Sequence, residues 1–232
     1  MRSEENGSSP YAVGVYYYPW YGGDFHGGRY LREHLVPPQY PVLGEYDDRE
    51  SAVVAQHLAW SRQARVSLWV ASWWGPGKRE DRTLLEAVLP HTELGDMRIA
   101  LFYETTGRTQ NFAEFDAVGP DVTYMAEHYF DHPNYLRIDG KPVLFVYLTR
   151  VLSRNGTLEP VVGAMRAAAA QAGHELYIVG DQVFGQPPAT VEALSLLDAV
   201  TNYDVYGSMG AQGYAGQGAV DRYYAAQARW RE

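Results

Sequence analysis

Four aromatic segments carry the most legible chemistry of this chain: Tyr16-Tyr17-Tyr18-Pro19-Trp20-Tyr21, Ser72-Trp73-Trp74-Gly75-Pro76-Gly77, Phe102-Tyr103-Glu104, and Asn202-Tyr203-Asp204-Val205-Tyr206-Gly207. Each follows an apolar run of strand type. A buried core favours Leu, Ile and Val. Trp and Tyr placed where a strand gives way to a Gly/Pro loop instead offer flat apolar faces with a polar edge. Carbohydrate suits such a surface, because its C–H faces stack on rings while its hydroxyls need hydrogen bonds. The excess is large, with 19 Tyr, 6 Trp and 7 Phe in 232 residues.

Glu104 is the best-placed carboxylate, directly after a strand and flanked by Tyr103 and Thr105. It can accept from a sugar hydroxyl or hold an acid/base pair in place; the alternatives are a helix cap or a salt bridge to Arg108. Asp181 follows another strand and either binds sugar or bonds loop amides. Tyr203, Asp204 and Tyr206 are candidates for sugar contact, against one tyrosine packing inside the fold and Asp204 capping its loop. Trp73 and Trp74 are adjacent and point in different directions, so one packs under the loop and the other, Trp74 by preference, forms a stacking platform. In the first loop Tyr18, Trp20 and Tyr21 are candidates for the same wall. His26 and His34 lie in that loop, whereas His57 falls on a helix's inner face and reads as a core histidine. No His-x-x-x-His or Asp-x-Asp spacing supports a metal site. A serine triad lacks its Gly-x-Ser-x-Gly elbow, and no cofactor is expected.

The elements that must position these residues alternate between short apolar runs and helical patterns, the signature of βα units. Strands are expected over 12–17, 66–71, 97–103, 143–147, 175–179 and 199–203. A Gly/Pro-rich loop runs from Pro19 to Glu45. Asp47 or Asp48 is expected to cap the helix that follows, with Val54, His57, Leu58 and Ser61 on its inner face. Further helices are expected over 81–93, in a segment ending near Phe130, along the stripe Leu158, Val161, Val162, Met165 and Ala169, and over about 220–230. Asp139-Gly140 between two short runs is a tight-turn signal. About six βα units imply a parallel sheet. The closed form, a (β/α)8 barrel of the TIM type, typically takes about 250 residues and gathers its site in the loops after the strands. An open doubly wound sheet competes with it, but Tyr18-Pro19-Trp20-Tyr21 stands where a Gly-rich phosphate loop would be.

Composition narrows the partners. A formal charge of −9, from 19 basic and 28 acidic residues, disfavours nucleic acid, whose binding is largely electrostatic. No apolar run approaches the length of a membrane span. Residues 1–10 read as a polar tail without a signal-peptide core, which leaves the compartment open with a lean to the cytoplasm. Cysteine is absent, so thiol chemistry and disulfides are excluded.

The ordered motifs point further. Tyr16 to Tyr21, Leu43-Gly44-Glu45-Tyr46-Asp47, Ser72-Trp73-Trp74-Gly75, Phe102-Tyr103-Glu104, His132-Pro133-Asn134-Tyr135 with Asp139-Gly140-Lys141-Pro142-Val143, and Asn202 to Tyr206 together resemble glycoside hydrolase family 99. That family holds the endo-acting α-mannosidases and related domains of polysaccharide gene clusters. The resemblance runs from about residue 11 to 230. It implies an α/β, (β/α)8 barrel over 11–232, incomplete at its C-terminal end, and a glycan or polysaccharide partner. It also implies cleavage inside α-mannose-containing glycans with retention. One glutamate would deprotonate the sugar 2-hydroxyl, which attacks its own anomeric carbon, and the other would act as general acid and then base. Tyr206 would lie near the cleavage point. The family's Glu-x-x-Glu pair is expected beyond Glu232, so no catalytic residue is assigned. The competing expectations are a non-catalytic glycan-binding or polysaccharide-assembly protein, and a sugar-nucleotide-dependent glycosyltransferase.

Overall fold

A computed structural model describes residues 12–22, 37, 40–110, 112–182, 194–203, 218, 221–222, 224–225 and 228–231. The chain divides into two compact units, residues 1–72 with 79–100 and residues 73–78 with 101–232.

In the first unit, β1 (Gly14–Tyr17) pairs in parallel with β2 (Leu68–Trp73, of which the first five residues belong here), from Gly14 opposite Leu68 to Tyr17 opposite Ala71. Helix α1 (Ser51–Gln63) connects them and buries Val53, Val54, Leu58 and Ser61, the spacing of a 3.6-residue period. The Trp69 indole donates to Ser61 Oγ at 2.9 Å, which ties the strand to the helix. Helix α2 (Arg79–Thr83) continues as a π-helical turn, Leu84–Val88, and buries Asp81, Thr83, Leu84 and Val88.

The expected capping of α1 by Asp47 or Asp48 is not what the fold does. Glu50 occupies the cap position and makes no side-chain cap bond. Asp48 turns inward instead. Its Oδ1 accepts from Arg79 at 2.8 Å and from the Thr83 hydroxyl at 3.2 Å, and its Oδ2 from the Tyr21 amide at 2.6 Å. These three partners, one of them a charged guanidinium, occupy both oxygens of a carboxylate that is only 1% exposed. Asp47 likewise serves Arg79, at 2.7 Å, and the Arg49 amide, at 2.9 Å.

The second unit holds the last residues of β3 (Arg98–Tyr103), then the short β4 (Arg137–Ile138), β5 (Lys141–Val146), β6 (Tyr177–Asp181) and β7 (Ala199–Thr201). Strands β3, β5, β6 and β7 are parallel in that order. Between them run α3 (Thr105–Arg108), α4 (Val118–Met125, continued by a π-helical turn to Phe130), α5 (Thr149–Arg154) and α6 (Leu158–Gln171). The predicted stripe on α6 is its buried face: Leu158, Val161, Val162, Met165 and Ala169 are all in the core. The described residues thus hold one parallel pair, β1 with β2, and one parallel set of four, β3, β5, β6 and β7: six strands, the number read from the sequence.

Strands β4 and β5 form the predicted hairpin, with Ile138 opposite Lys141. Asp139 and Gly140 both have positive φ, 50° and 79°, the pattern that a two-residue primed turn demands. Beside it the buried Tyr135 hydroxyl donates to Val143 O at 2.9 Å and accepts from Leu101 N at 3.4 Å, linking the hairpin to β3. The helix expected near 220–230 lies largely outside the described residues; Arg229–Arg231 form a 3-10 turn. Gly140→Val places a branched side chain in the left-handed region and should cost about 1–2 kcal/mol. Urea unfolding should show a lower midpoint with an unchanged slope, and an unshifted midpoint would contradict this account of the turn.

Candidate functional site

Register builds the site in the second unit. Phe102 lies opposite Phe145, Phe145 opposite Val179, and Val179 opposite Ala199. Two residues further along each strand the same offsets align Glu104, Tyr147, Asp181 and Thr201 at the C-terminal ends. Side chains alternate across a sheet, so this row faces away from the neighbouring Tyr103. Tyr103 marks the helix side, where its hydroxyl donates to Asp121 of α4 at 2.8 Å. Trp73 stacks on Tyr103 at 6.0 Å and approaches Tyr124 of α4 at 6.2 Å, so it belongs to that side too.

The row is aromatic and acidic. Tyr147 meets Tyr203 edge-on at 5.0 Å, and Phe102 contacts both, at 5.5 and 5.3 Å. Burial pushes the Tyr147 hydroxyl up to about 12, and the neighbouring Tyr203, Glu104 and Asp181 add to the rise. It is therefore a neutral hydrogen-bond donor across the physiological range. Glu104 is buried at the cap position of α3 without a side-chain cap bond, while Arg108 is committed to Asp121.

Asp181 has no exposed surface. Its Oδ2 accepts from Leu148 N at 3.1 Å and from Arg150 at 2.6 Å, and its Oδ1 from Tyr203 N at 3.2 Å. Burial raises this carboxyl above its usual range, while Arg150 and the two amides pull it part of the way back. One side chain thereby ties together the loops after β5 and β7 and sets both Tyr147 and Tyr203. It also holds Leu148 at a φ of 51°, a conformation that costs a branched residue about 1–2 kcal/mol.

The first unit carries a second aromatic cluster. Tyr17 stacks on Trp69 at 4.2 Å, and its hydroxyl lies 3.2 Å from His57 Nδ1. Burial lowers the pKa of His57, which favours the neutral ring. Tyr21 meets Tyr46 edge-on at 5.7 Å, and Tyr18 lies against Trp20 at 4.6 Å. The Trp20 indole donates to Ser72 Oγ at 3.3 Å. A cavity of about 310 Å³ opens among Tyr17, Tyr18, Tyr21, Tyr46, His57 and Trp69.

The predicted site residues thus divide between the units. Tyr18, Trp20 and Tyr21 belong to the first; Trp74, Glu104, Asp181 and Tyr203 belong to the second. Asp204, Tyr206, His26 and His34 lie outside the described residues. Tyr147 and Arg150 were not anticipated, although Tyr147 closes a predicted strand and Glu104 directly follows one, and that position was the available signal. Among the described residues no group of three or more potential metal ligands forms, and no helix is long and apolar enough to cross a membrane.

A family model described as glycosyl hydrolase family 99 matches residues 31–156. The chain belongs to glycosyl hydrolase family 99. It is 23% identical over 172 residues to the glycoprotein endo-alpha-1,2-mannosidase of Mus musculus, covering 59% of this chain and 36% of that protein. It is 24% identical over 173 residues to the endo-alpha-1,2-mannosidase-like protein of Danio rerio, covering 59% and 38%. The chain therefore spans little more than a third of these relatives. Among solved structures, the family 99 endo-alpha-mannosidase of Bacteroides thetaiotaomicron in complex with bis-tris-propane aligns with a TM-score of 0.63 at 17% identity, over 94% of this chain and 66% of that one. A glycoside hydrolase-like protein aligns at 0.61 and 18%, over 93% and 65%. The fold is α/β, of the (β/α) barrel type of family 99.

Two outcomes follow. Asp181→Ala removes the buried carboxylate to which Arg150, 16% exposed, and the Leu148 and Tyr203 amides all bond. Breaking such a pair from one side costs about 3–5 kcal/mol, and a loss below about 1 kcal/mol in denaturant unfolding would place the pair among weak surface bridges. Burial also raises Tyr17, Tyr103 and Tyr135 far above the ordinary 10.0, and Tyr46 and Tyr147 to about 12. A raised tyrosine favours the neutral form in the fold, so its stabilisation is complete below pH 10 and lost as pH climbs through the folded values. Tyrosinate absorbance should show part of the 19 tyrosines resisting ionisation until the protein unfolds. A single transition of all 19 near pH 10 would contradict the burial.

Proposed function

We propose that this chain forms the sugar-binding part of a retaining, endo-acting hydrolase of α-mannoside-type glycans. One observation carries the reading: in a family 99 chain, register and alternation gather Glu104, Tyr147 and Tyr203 on one face at the C-terminal ends of parallel strands, where barrel enzymes place their sites. The family 99 membership and the endo-alpha-1,2-mannosidase relatives support α-linked mannose as the sugar.

Each residue has a role in this reading. The Tyr147 hydroxyl, pushed up to about 12 and so neutral at physiological pH, donates to a sugar oxygen. Glu104 accepts from a sugar hydroxyl. Tyr203 and Trp74 stack on C–H faces. Tyr18, Trp20 and Tyr21 are candidate sugar contacts of the first unit taken by itself. Asp181 holds the two tyrosine loops, with sugar contact as its alternative role. Tyr206 contacts the sugar near the bond that is cut, and Asp204 is a further candidate for sugar contact. Glutamates of the whole protein supply the acid/base chemistry of a retaining glycosidase.

Titration of α-1,2-linked manno-oligosaccharides, followed by intrinsic tryptophan fluorescence, tests the reading. Saturable binding is expected, weakened about tenfold by Tyr147→Phe and by Glu104→Gln, the scale of one lost hydrogen bond. Binding without product formation by the whole protein would favour a non-catalytic glycan-binding role. Indifference of both variants, or no binding of any mannoside, would contradict the proposal.

A further inference from the structure

Two adjacent pairs, Trp74-Gly75 and Gly107-Arg108, interdigitate in the second unit. A Cβ at Gly107 would stand 2.6 Å from Trp74 Cε3 and 2.9 Å from Cζ3. A Cβ at Gly75 would stand 2.9 Å from Arg108 Nη1 and 3.0 Å from Cζ. Each large side chain therefore lies on the glycine of the other pair, closer than any side chain there would permit. Gly75 also has a φ of 127°, which side chains rarely adopt.

The lock is anchored in the core. Arg108 grips Asp121 in a fork, Nε to Oδ2 and Nη2 to Oδ1, both at 2.7 Å. Asp121 is 1% exposed and also takes the Tyr103 hydroxyl at 2.8 Å. The hydrogen bonds to Asp121 favour the charged guanidinium and raise its pKa. Arg108 is thereby held at two points, with its guanidinium against the Gly75 backbone. Trp74, one residue earlier, is pinned on Gly107. Trp73 stacks on Tyr103, and alternation carried one residue past each strand sends Trp74 and Glu104 to the opposite face. Glu104 N donates to Trp73 O at 3.1 Å, which holds the two strand ends side by side. Trp74 is only partly buried, and its ring lies against Gly107.

We infer that Gly107 and Arg108 are positioning residues that fix the Trp74 indole as the stacking platform of the glycan site beside Glu104. This rests on the glycan-binding reading above. A fixed ring binds sugar without first losing rotamer freedom, and it accepts only a sugar whose C–H face arrives at the ring's set height.

The test combines Gly107→Ala, Trp74→Ala and the double variant. Two readouts are taken: indole N–H resonances of the 6 tryptophans, and affinity for an α-1,2-linked manno-oligosaccharide. Gly107→Ala should shift the Trp74 resonance and leave those of tryptophans remote from it in place. It should weaken binding about tenfold and add no further loss once Trp74→Ala is present, because positions that act as a unit are non-additive. Arg108→Lys keeps the charge but loses the fork, so it should move the same resonance and weaken binding; it serves if Gly107→Ala does not fold. An unmoved Trp74 resonance, undiminished affinity, or an equal loss in the Trp74→Ala background would overturn the inference. A wild-type chain that binds no mannoside would overturn the glycan-binding reading itself, and the platform with it.

Discussion

The parallel register of β3, β5, β6 and β7 is the constraint on which the candidate site depends. Phe102, Phe145, Val179 and Ala199 are aligned across four strands, and the same offsets bring Glu104, Tyr147 and Asp181 into one row. A slip of one residue in β5 would send Tyr147 to the helix side and Val146 into its place, because the side-chain period is two. The register is secured on both sides of that row. Buried Leu101, Val143, Leu144, Val146 and Ile178 each contribute roughly 1.5–3 kcal/mol from burial. The Tyr135 hydroxyl, bridging Val143 O and Leu101 N, fixes where β5 begins relative to β3.

One device recurs above this framework. Asp48 with Arg79, Asp121 with Arg108, and Asp181 with Arg150 are all pairs of a fully or nearly fully buried carboxylate and a partly exposed guanidinium. Each carboxylate has a further partner that belongs to, or supports, an aromatic residue: the Tyr21 amide, the Tyr103 hydroxyl and the Tyr203 amide. Desolvation offsets most of the attraction in such pairs, so their weight lies in geometry more than in net stability. Loops rich in Tyr and Trp have many ways to collapse. A buried charge that loses heavily when unpaired leaves them few.

Much of this was legible in the sequence where a local rule suffices. Asp139-Gly140 announced its turn because both residues need positive φ, and the α6 stripe announced its buried face by spacing alone. Trp73 and Trp74 had to diverge because they are neighbours in an extended segment. Rules of longer reach were not visible. Asp48 looked like a helix cap, and nothing local shows that Arg79, 31 residues on, draws it inward. The Arg150 to Asp181 pair spans the same separation. Tyr147 read as the last apolar residue of a strand, and only the register with β3 and β6 reveals that it shares a row with two carboxylates.

Membership of family 99 and the aromatic, hydroxyl-bearing row at the strand ends are the two grounds for proposing carbohydrate as the ligand of the second unit. A crystal structure of the chain soaked with an α-1,2-linked manno-oligosaccharide tests that claim most directly. The account predicts sugar in contact with Trp74, Glu104, Tyr147 and Tyr203. Sugar bound elsewhere, touching none of these four residues, would contradict it.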